Sequence, residues 1–254
     1  MNSLKIMFKN DRGHELSARL ELPEGKPDAY AIFAHCFTCD KNLNAARNIS
    51  NALTNQNIAV LLFDFTGLGE SAGEFAESNF SSNIRDLISA SAFLTTSYEA
   101  PSLLVGHSLG GTAVLSVAGF LPSVKAVATI GAPFDAAHVL LLFKNSLNEI
   151  NDLGQAEVDL GGRIFTIKKQ FLEDIGLQHL EGLLPKLNKA LLILHSPQDS
   201  TVSIENASAI YRSAKHPKSF ISLNGADHLL SRKQQSVYAG SLIATWVQNY
   251  LTGQ

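Results

Sequence analysis

Four segments of strand length carry almost no polar side chain. They are Ala-Tyr-Ala-Ile-Phe-Ala-His over 29–35, Ile-Ala-Val-Leu-Leu-Phe-Asp-Phe over 58–65, the segment 102–107, and Ala-Leu-Leu-Ile-Leu-His over 190–195. A strand with one wet face alternates apolar and polar residues, whereas an unbroken apolar run suits a strand covered on both faces. Further strands are predicted over 14–22, which alternates, and over 124–130 and 218–223. Helical stretches fall between them: 43–56, 79–97 (with Ile84, Leu87, Ile88 and Ser91 spaced by three and four), 109–121, 204–214 and 234–251. Buried strands alternating with helices predict an α/β fold, a mostly parallel central sheet with helices on both faces. Ligands of such sheets bind beyond the carboxyl ends of the strands, so the residues just after each strand matter most.

One stretch breaks the rhythm. Residues 135–188 lie between two predicted strands but exceed one crossover helix. They read as a helix around 136–150, a polar segment around Gly161-Gly162 and helical pieces after 168. The expectation is a helical lid or cap insertion over the strand ends, within a single domain spanning 1–254. A separate domain of ~50 residues would be near the lower limit for independent folding.

Composition narrows the function. The 254 residues are 45% hydrophobic and 17% charged, which suits one globular domain. The net charge of −3 argues against nucleic acid as a partner. No run of ~18 apolar residues is present, so no membrane span is expected. Residues 1–9 lack the apolar core and cleavage site of a signal peptide. The only cysteines, Cys36 and Cys39, are too few for a disulfide framework. The default expectation is a cytoplasmic, reduced setting, with the chain acting as a monomer or homodimer.

Gly106-His107-Ser108-Leu109-Gly110 follows the strand residues 102–105 and opens an apolar helix. This is G-x-S-x-G in the context its mechanism needs, a sharp strand-to-helix turn that lifts the serine hydroxyl above the sheet. A serine needs a base, and the base needs an orienting acid. The strand over 190–195 runs into Ser196-Pro197-Gln198-Asp199, and the strand over 218–223 into Asn224-Gly225-Ala226-Asp227-His228. The chain order Ser, Asp, His is the α/β-hydrolase order. The candidate catalytic residues are therefore Ser108 as nucleophile, His228 as base and Asp199 as orienting acid. Asp135 is an alternative acid position. His107 and His195 read as packed or bracing histidines, Asp227 as a turn or capping residue, and Asp64 as an organiser of the loop 65–71.

Along its whole length the chain resembles an α/β-hydrolase. It particularly resembles the hydrolase half of bacterial proteins that fuse such a domain to an OsmC-like peroxide-defence domain. Ala34-His35-Cys36-Phe37-Thr38-Cys39, Phe63-Asp64-Phe65-Thr66-Gly67-Leu68-Gly69-Glu70-Ser71, Asn79-Phe80-Ser81-Ser82-Asn83, the segment 106–111, Ala128-Thr129-Ile130-Gly131-Ala132-Pro133 and Glu157-Val158-Asp159-Leu160-Gly161-Gly162 carry the likeness. The OsmC half is not in the sequence, which ends after the closing helix, and a peroxide role is not expected. The resemblance implies a carboxylesterase-like serine hydrolase acting on a small-molecule ester. By analogy with relatives that carry His-Gly after the first core strand, the backbone N–H groups of Phe37 and Leu109 are the oxyanion donors.

Cys36-Phe37-Thr38-Cys39 is also a C-x-x-C. It reads as two small packing residues in a tight loop, or as a redox pair whose disulfide distorts the oxyanion loop so that oxidant lowers activity. A metal site would need two more ligands. No phosphate-binding or dinucleotide fingerprint is present, and neither cofactor nor metal is expected. Apolar residues of the insertion, among them Leu140, Phe143 and Phe171, are expected to pack it down and in part to line a pocket for small or medium acyl or aryl groups. The same three residues would serve a thioesterase, an acyltransferase or a C–C-bond hydrolase, and a non-catalytic binding protein could keep the fold. Intact Ser108, Asp199 and His228 speak against the last.

Overall fold

The computed structural model describes residues 2–251. The chain runs β1 (Asn2–Lys9), β2 (Glu15–Leu22), β3 (Ala29–Ala34), α1 (Asn44–Thr54), β4 (Ile58–Phe63), α2 (Phe80–Ser97), β5 (Leu103–His107), α3 (Leu109–Ala118) and β6 (Ala126–Ile130). After an insertion it resumes with β9 (Ala190–His195), α6 (Glu205–Ser213), β10 (Lys218–Ser222) and α7 (Lys233–Leu251). The main sheet has the order β1-β2-β4-β3-β5-β6-β9-β10. β1 and β2 pair antiparallel, β2 joins β4 antiparallel, and every pairing from β4 to β10 is parallel.

The apolar runs are unbroken because each strand feeds two cores. In β3, Tyr30, Ile32 and Ala34 point to one face, and Ala29, Ala31 and Phe33 to the other. β4 divides the same way, Ala59, Leu61 and Phe63 against Ile58, Val60 and Leu62. α2, α3 and α6 cover the first face, and α1 and α7 the second. At Gly240 a Cβ would lie 2.9 Å from the Ile49 Cα, so α1 and α7 cross backbone to backbone.

Two elements differ from the expectation. β1 lies where no strand was predicted. It is an edge strand with only Phe8 buried and with Leu4 and Met7 exposed, so its apolar pattern is weak. The insertion is not wholly helical. It holds 3-10 turns over Ala136–Ser146, broken at Phe143, then α4 (Leu147–Leu153), the antiparallel hairpin β7 (Gln155–Asp159) and β8 (Ile164–Lys168), and α5 (Lys169–Ile175). The segment read as polar is this hairpin. Gly161 and Gly162 turn it with positive φ, and the Asp159 carboxylate accepts the Gly162 N–H at 2.7 Å. No described helix is long and apolar enough to cross a membrane.

Candidate active site

Ser108 sits between β5 and α3 with φ 55° and ψ −127°. A non-glycine residue held there costs of order 1–3 kcal/mol, so the surroundings must enforce it. They do so in two ways. The Ser108 N–H donates to the Ile130 carbonyl of β6 at 2.8 Å. The flanking glycines permit contact that no side chain would allow, since a Cβ at Gly106 would lie 2.4 Å from the Gly110 carbonyl oxygen. A Cβ at Gly110 would lie 2.4 Å from the carbonyl oxygens of both Ala34 and His35. The start of α3 thus packs directly on the loop that follows β3, which brings Leu109 beside Phe37. Among the described residues, neither the Phe37 nor the Leu109 N–H has a hydrogen-bond acceptor.

The three separated residues come together. The Ser108 hydroxyl lies 2.9 Å from His228 Nε2, and His228 Nδ1 lies 2.7 Å from Asp199 Oδ2. A carboxylate facing Nδ1 requires the proton there, which leaves Nε2 free to accept from the serine. Asp199 is itself held: its Oδ1 accepts the N–H groups of Thr201 and Val202, each at 2.8 Å. Burial opposes its charge, but the bond from His228 and the two N–H groups outweigh it and hold the carboxyl below its ordinary pKa. Asp199 is therefore ionised at neutral pH.

The competing residues have other partners. Asp135 caps the 3-10 turns by accepting the Ala137 N–H at 2.8 Å, and Asp227 accepts the Ser231 N–H at 2.9 Å. His195 donates from Nε2 to the Val202 carbonyl at 2.8 Å and so braces the Asp199 loop. His107 is more than a packed residue. Its Nε2 donates to the His228 carbonyl at 2.7 Å, and burial, reinforced by the His228 charge, lowers its pKa to about 4, so it is neutral at pH 7.

Cys36 and Cys39 are joined in a disulfide, against the expectation of reduced thiols. Three further ties on this loop are not readable from the sequence. Lys41, almost fully buried, places Nζ 2.6 Å from Asp64 Oδ2 and 2.9 Å from Glu70 Oε2. Asp64 Oδ1 accepts the Lys41 N–H and Oδ2 accepts the Glu70 N–H. Arg163, at the end of the insertion's hairpin turn, donates to the Thr38 carbonyl while its guanidinium lies over the Phe165 ring. Among the described residues no cluster of His, Cys, Asp and Glu could hold a metal.

A pocket opens beside these groups, lined by Phe37, Phe75, Phe80, Phe171, Leu109 and Ala113 among others. Its walls are aromatic: Phe37 packs on Phe75 at 5.8 Å and on Phe171 at 5.5 Å between ring centroids. The space left inside is about 10 Å³, enough for about one water.

A doubly covered sheet with a strained serine after its central strand, and a histidine and carboxylate after later ones, defines an α/β-hydrolase. Residues 25–154 match the family of serine aminopeptidase, S33, and the chain belongs to that hydrolase family. An esterase domain from a Rhodothermus marinus protein is 49% identical, with a TM-score of 0.81 over 99% of this chain and all of that one. Est1E from Butyrivibrio proteoclasticus, solved with ferulic acid bound, is 19% identical with a TM-score of 0.79 over 98% of this chain and all of that one. Monoglyceride lipase of Mus musculus is 23% identical over 94% of this chain and 89% of that protein. The two more distant likenesses show the fold alone. The chain is thus a hydrolase with esterase neighbours.

Proposed function

We propose that the chain is a serine carboxylesterase acting on esters of small or medium acyl or aryl groups. The observation that carries this reading is the continuous relay from Ser108 Oγ through His228 to Asp199, at 2.9 and 2.7 Å. In it, His228 Nε2 takes the Ser108 proton as Oγ attacks the ester carbonyl. The N–H groups of Phe37 and Leu109 donate to the developing oxyanion. His228 returns the proton to the leaving alcohol, and a water then hydrolyses the acyl-enzyme by the reverse assignment. An oxyanion donor of this kind contributes about 2.7–4 kcal/mol to the transition state. Asp199 keeps the imidazole in the productive tautomer and stabilises its cation.

The insertion over 135–188 serves as a lid, and its Phe171 forms one wall of the acyl pocket. With room for about one water, the pocket takes a short acyl group on modest ring movements and a long one only with displacement of the lid. The substrate is a small molecule, met in the cytoplasm. The test is hydrolysis of p-nitrophenyl esters from acetyl to dodecanoyl, with Ser108→Ala as control. The reading predicts an optimum at short chains and its disappearance in Ser108→Ala. Hydrolysis that survives in Ser108→Ala would overturn it.

A further inference from the structure

We infer that the Cys36–Cys39 disulfide is the positioning element for the Phe37 oxyanion donor, so that opening it by a dithiol reductant lowers turnover. The inference rests on the serine-esterase reading above. The disulfide closes a four-residue turn, and the donor residue lies inside it. The Cys39 N–H donates to the Cys36 carbonyl at 3.1 Å, and the same carbonyl accepts from His35 Nδ1 at 2.9 Å. The turn is otherwise costly to hold. Thr38 has φ 59°, a region that a β-branched residue avoids.

The remaining ties lie after the donor residue or hold it by its ring. Arg163 holds Thr38, and Asp64 holds Lys41. The Phe37 ring packs on Phe75, Phe143 and Phe171. These contacts keep the loop in place, but none of them grips the Cys36–Phe37 peptide, which is held by the two hydrogen bonds on the Cys36 carbonyl, one of them from Cys39. The disulfide crosses from one side of that peptide to the other and holds the Cys39 N–H within reach of the Cys36 carbonyl. The linked form, which carries an assembled serine–histidine–aspartate relay, is the one we assign as competent. That is the opposite sense to the oxidant inhibition that the redox reading of the C-x-x-C implies.

The exchange is balanced. A thiolate of the reductant attacks the Cys39 sulfur, the half-exposed member of the pair, and Cys36 leaves as thiolate. The second thiol of the reductant then displaces Cys39 and closes the reductant's own disulfide. Two electrons pass to the cysteine pair, and the two protons lost by the reductant protonate it. In a cytoplasm whose thiol pool keeps such pairs open, the enzyme would rest at low turnover and be raised by oxidation.

The experiment uses the full chain, equilibrated across dithiothreitol redox buffers, with free thiols counted by alkylation and mass. Rates on p-nitrophenyl butyrate and rates of fluorophosphonate labelling are followed, with circular dichroism to confirm that the fold persists. Loss of one oxyanion donor lowers kcat by about 10²–10³, which bounds the effect from above. The expected result is a fall in kcat of at least about tenfold on reduction, with KM within about twofold, reversed by reoxidation. A Cys36→Ser/Cys39→Ser variant is expected at the reduced level and indifferent to dithiothreitol. Equal kcat in the two states of an active wild type would overturn the inference alone. A chain that neither hydrolyses esters nor takes up phosphonate in either state would overturn the esterase reading and the inference with it.

Discussion

Asp199→Asn isolates the role of the carboxylate, because it changes one oxygen for one NH2 at nearly constant volume. Asp199 now accepts three hydrogen bonds: His228 Nδ1–H at 2.7 Å on Oδ2, and the N–H groups of Thr201 and Val202 at 2.8 Å on Oδ1. An amide can keep only one of these oxygens. With its oxygen toward Thr201 and Val202 it keeps two bonds and opposes one donor; reversed, it keeps one and opposes two. The first orientation wins. Its NH2 then faces His228 Nδ1 and drives the ring proton to Nε2, where it points at Ser108 and can no longer accept the serine proton. The same tautomer error in a serine protease costs about 10⁴ in kcat, or about 5 kcal/mol of barrier. Folding should suffer little: one hydrogen bond is worth about 1 kcal/mol, so Tm should fall by only ~2–4 °C. The assay is kcat and KM on p-nitrophenyl butyrate beside a thermal melt. A loss of less than tenfold in kcat, with the melt unchanged, would refute the assignment of Asp199 as the orienting acid.

Lys41→Met leaves Asp64 fully buried without its cation, which should cost about 3–5 kcal/mol and lower Tm by ~10 °C; an unchanged melt would refute that pairing. Phe171→Ala removes one wall of the acyl pocket and should move the chain-length optimum of the p-nitrophenyl series upward, whereas an unmoved optimum would place the acyl chain elsewhere. His107 is neutral in the fold down to about pH 4 but protonates near 6.5 when unfolded, so the unfolded chain binds the extra proton in that window. Stability should therefore fall as pH drops from 6.5 to 4, by up to about 3 kcal/mol from this residue, and denaturant titrations of His107→Gln should show a shallower slope. Asp199, with its pKa depressed below 3.8, adds its own loss only at lower pH. Identical slopes in wild type and His107→Gln would refute the account of His107.

Much of this architecture is written in local pattern. The two-faced burial of β3 and β4 forces continuous apolar runs, and Ser108 announces itself because strand, glycine, serine and helix are adjacent. Asp199 and His228 are legible because each follows the carboxyl end of a parallel strand. The strand β1 escaped because an edge strand with a single buried residue has no period to detect. The β7–β8 hairpin carries the signal it needed, Gly161-Gly162 between short alternating runs such as Ala156 and Val158, but five residues a side is little evidence against a longer helical reading. The ties of the loop after β3 were beyond reach for another reason. Lys41 meets Asp64 and Arg163 meets Thr38 across the fold, and no spacing rule links residues so far apart in the chain. The C-x-x-C spacing was visible, but spacing alone does not say whether two thiols are joined.

Everything proposed for this site turns on Ser108 as the nucleophile. The most direct measurement is the intact mass of the chain after incubation with a fluorophosphonate, followed by peptide mapping of the adduct. The expected result is one adduct per chain, on Ser108, forming far more slowly in His228→Gln. An unlabelled chain, or an adduct on any other residue, would contradict it.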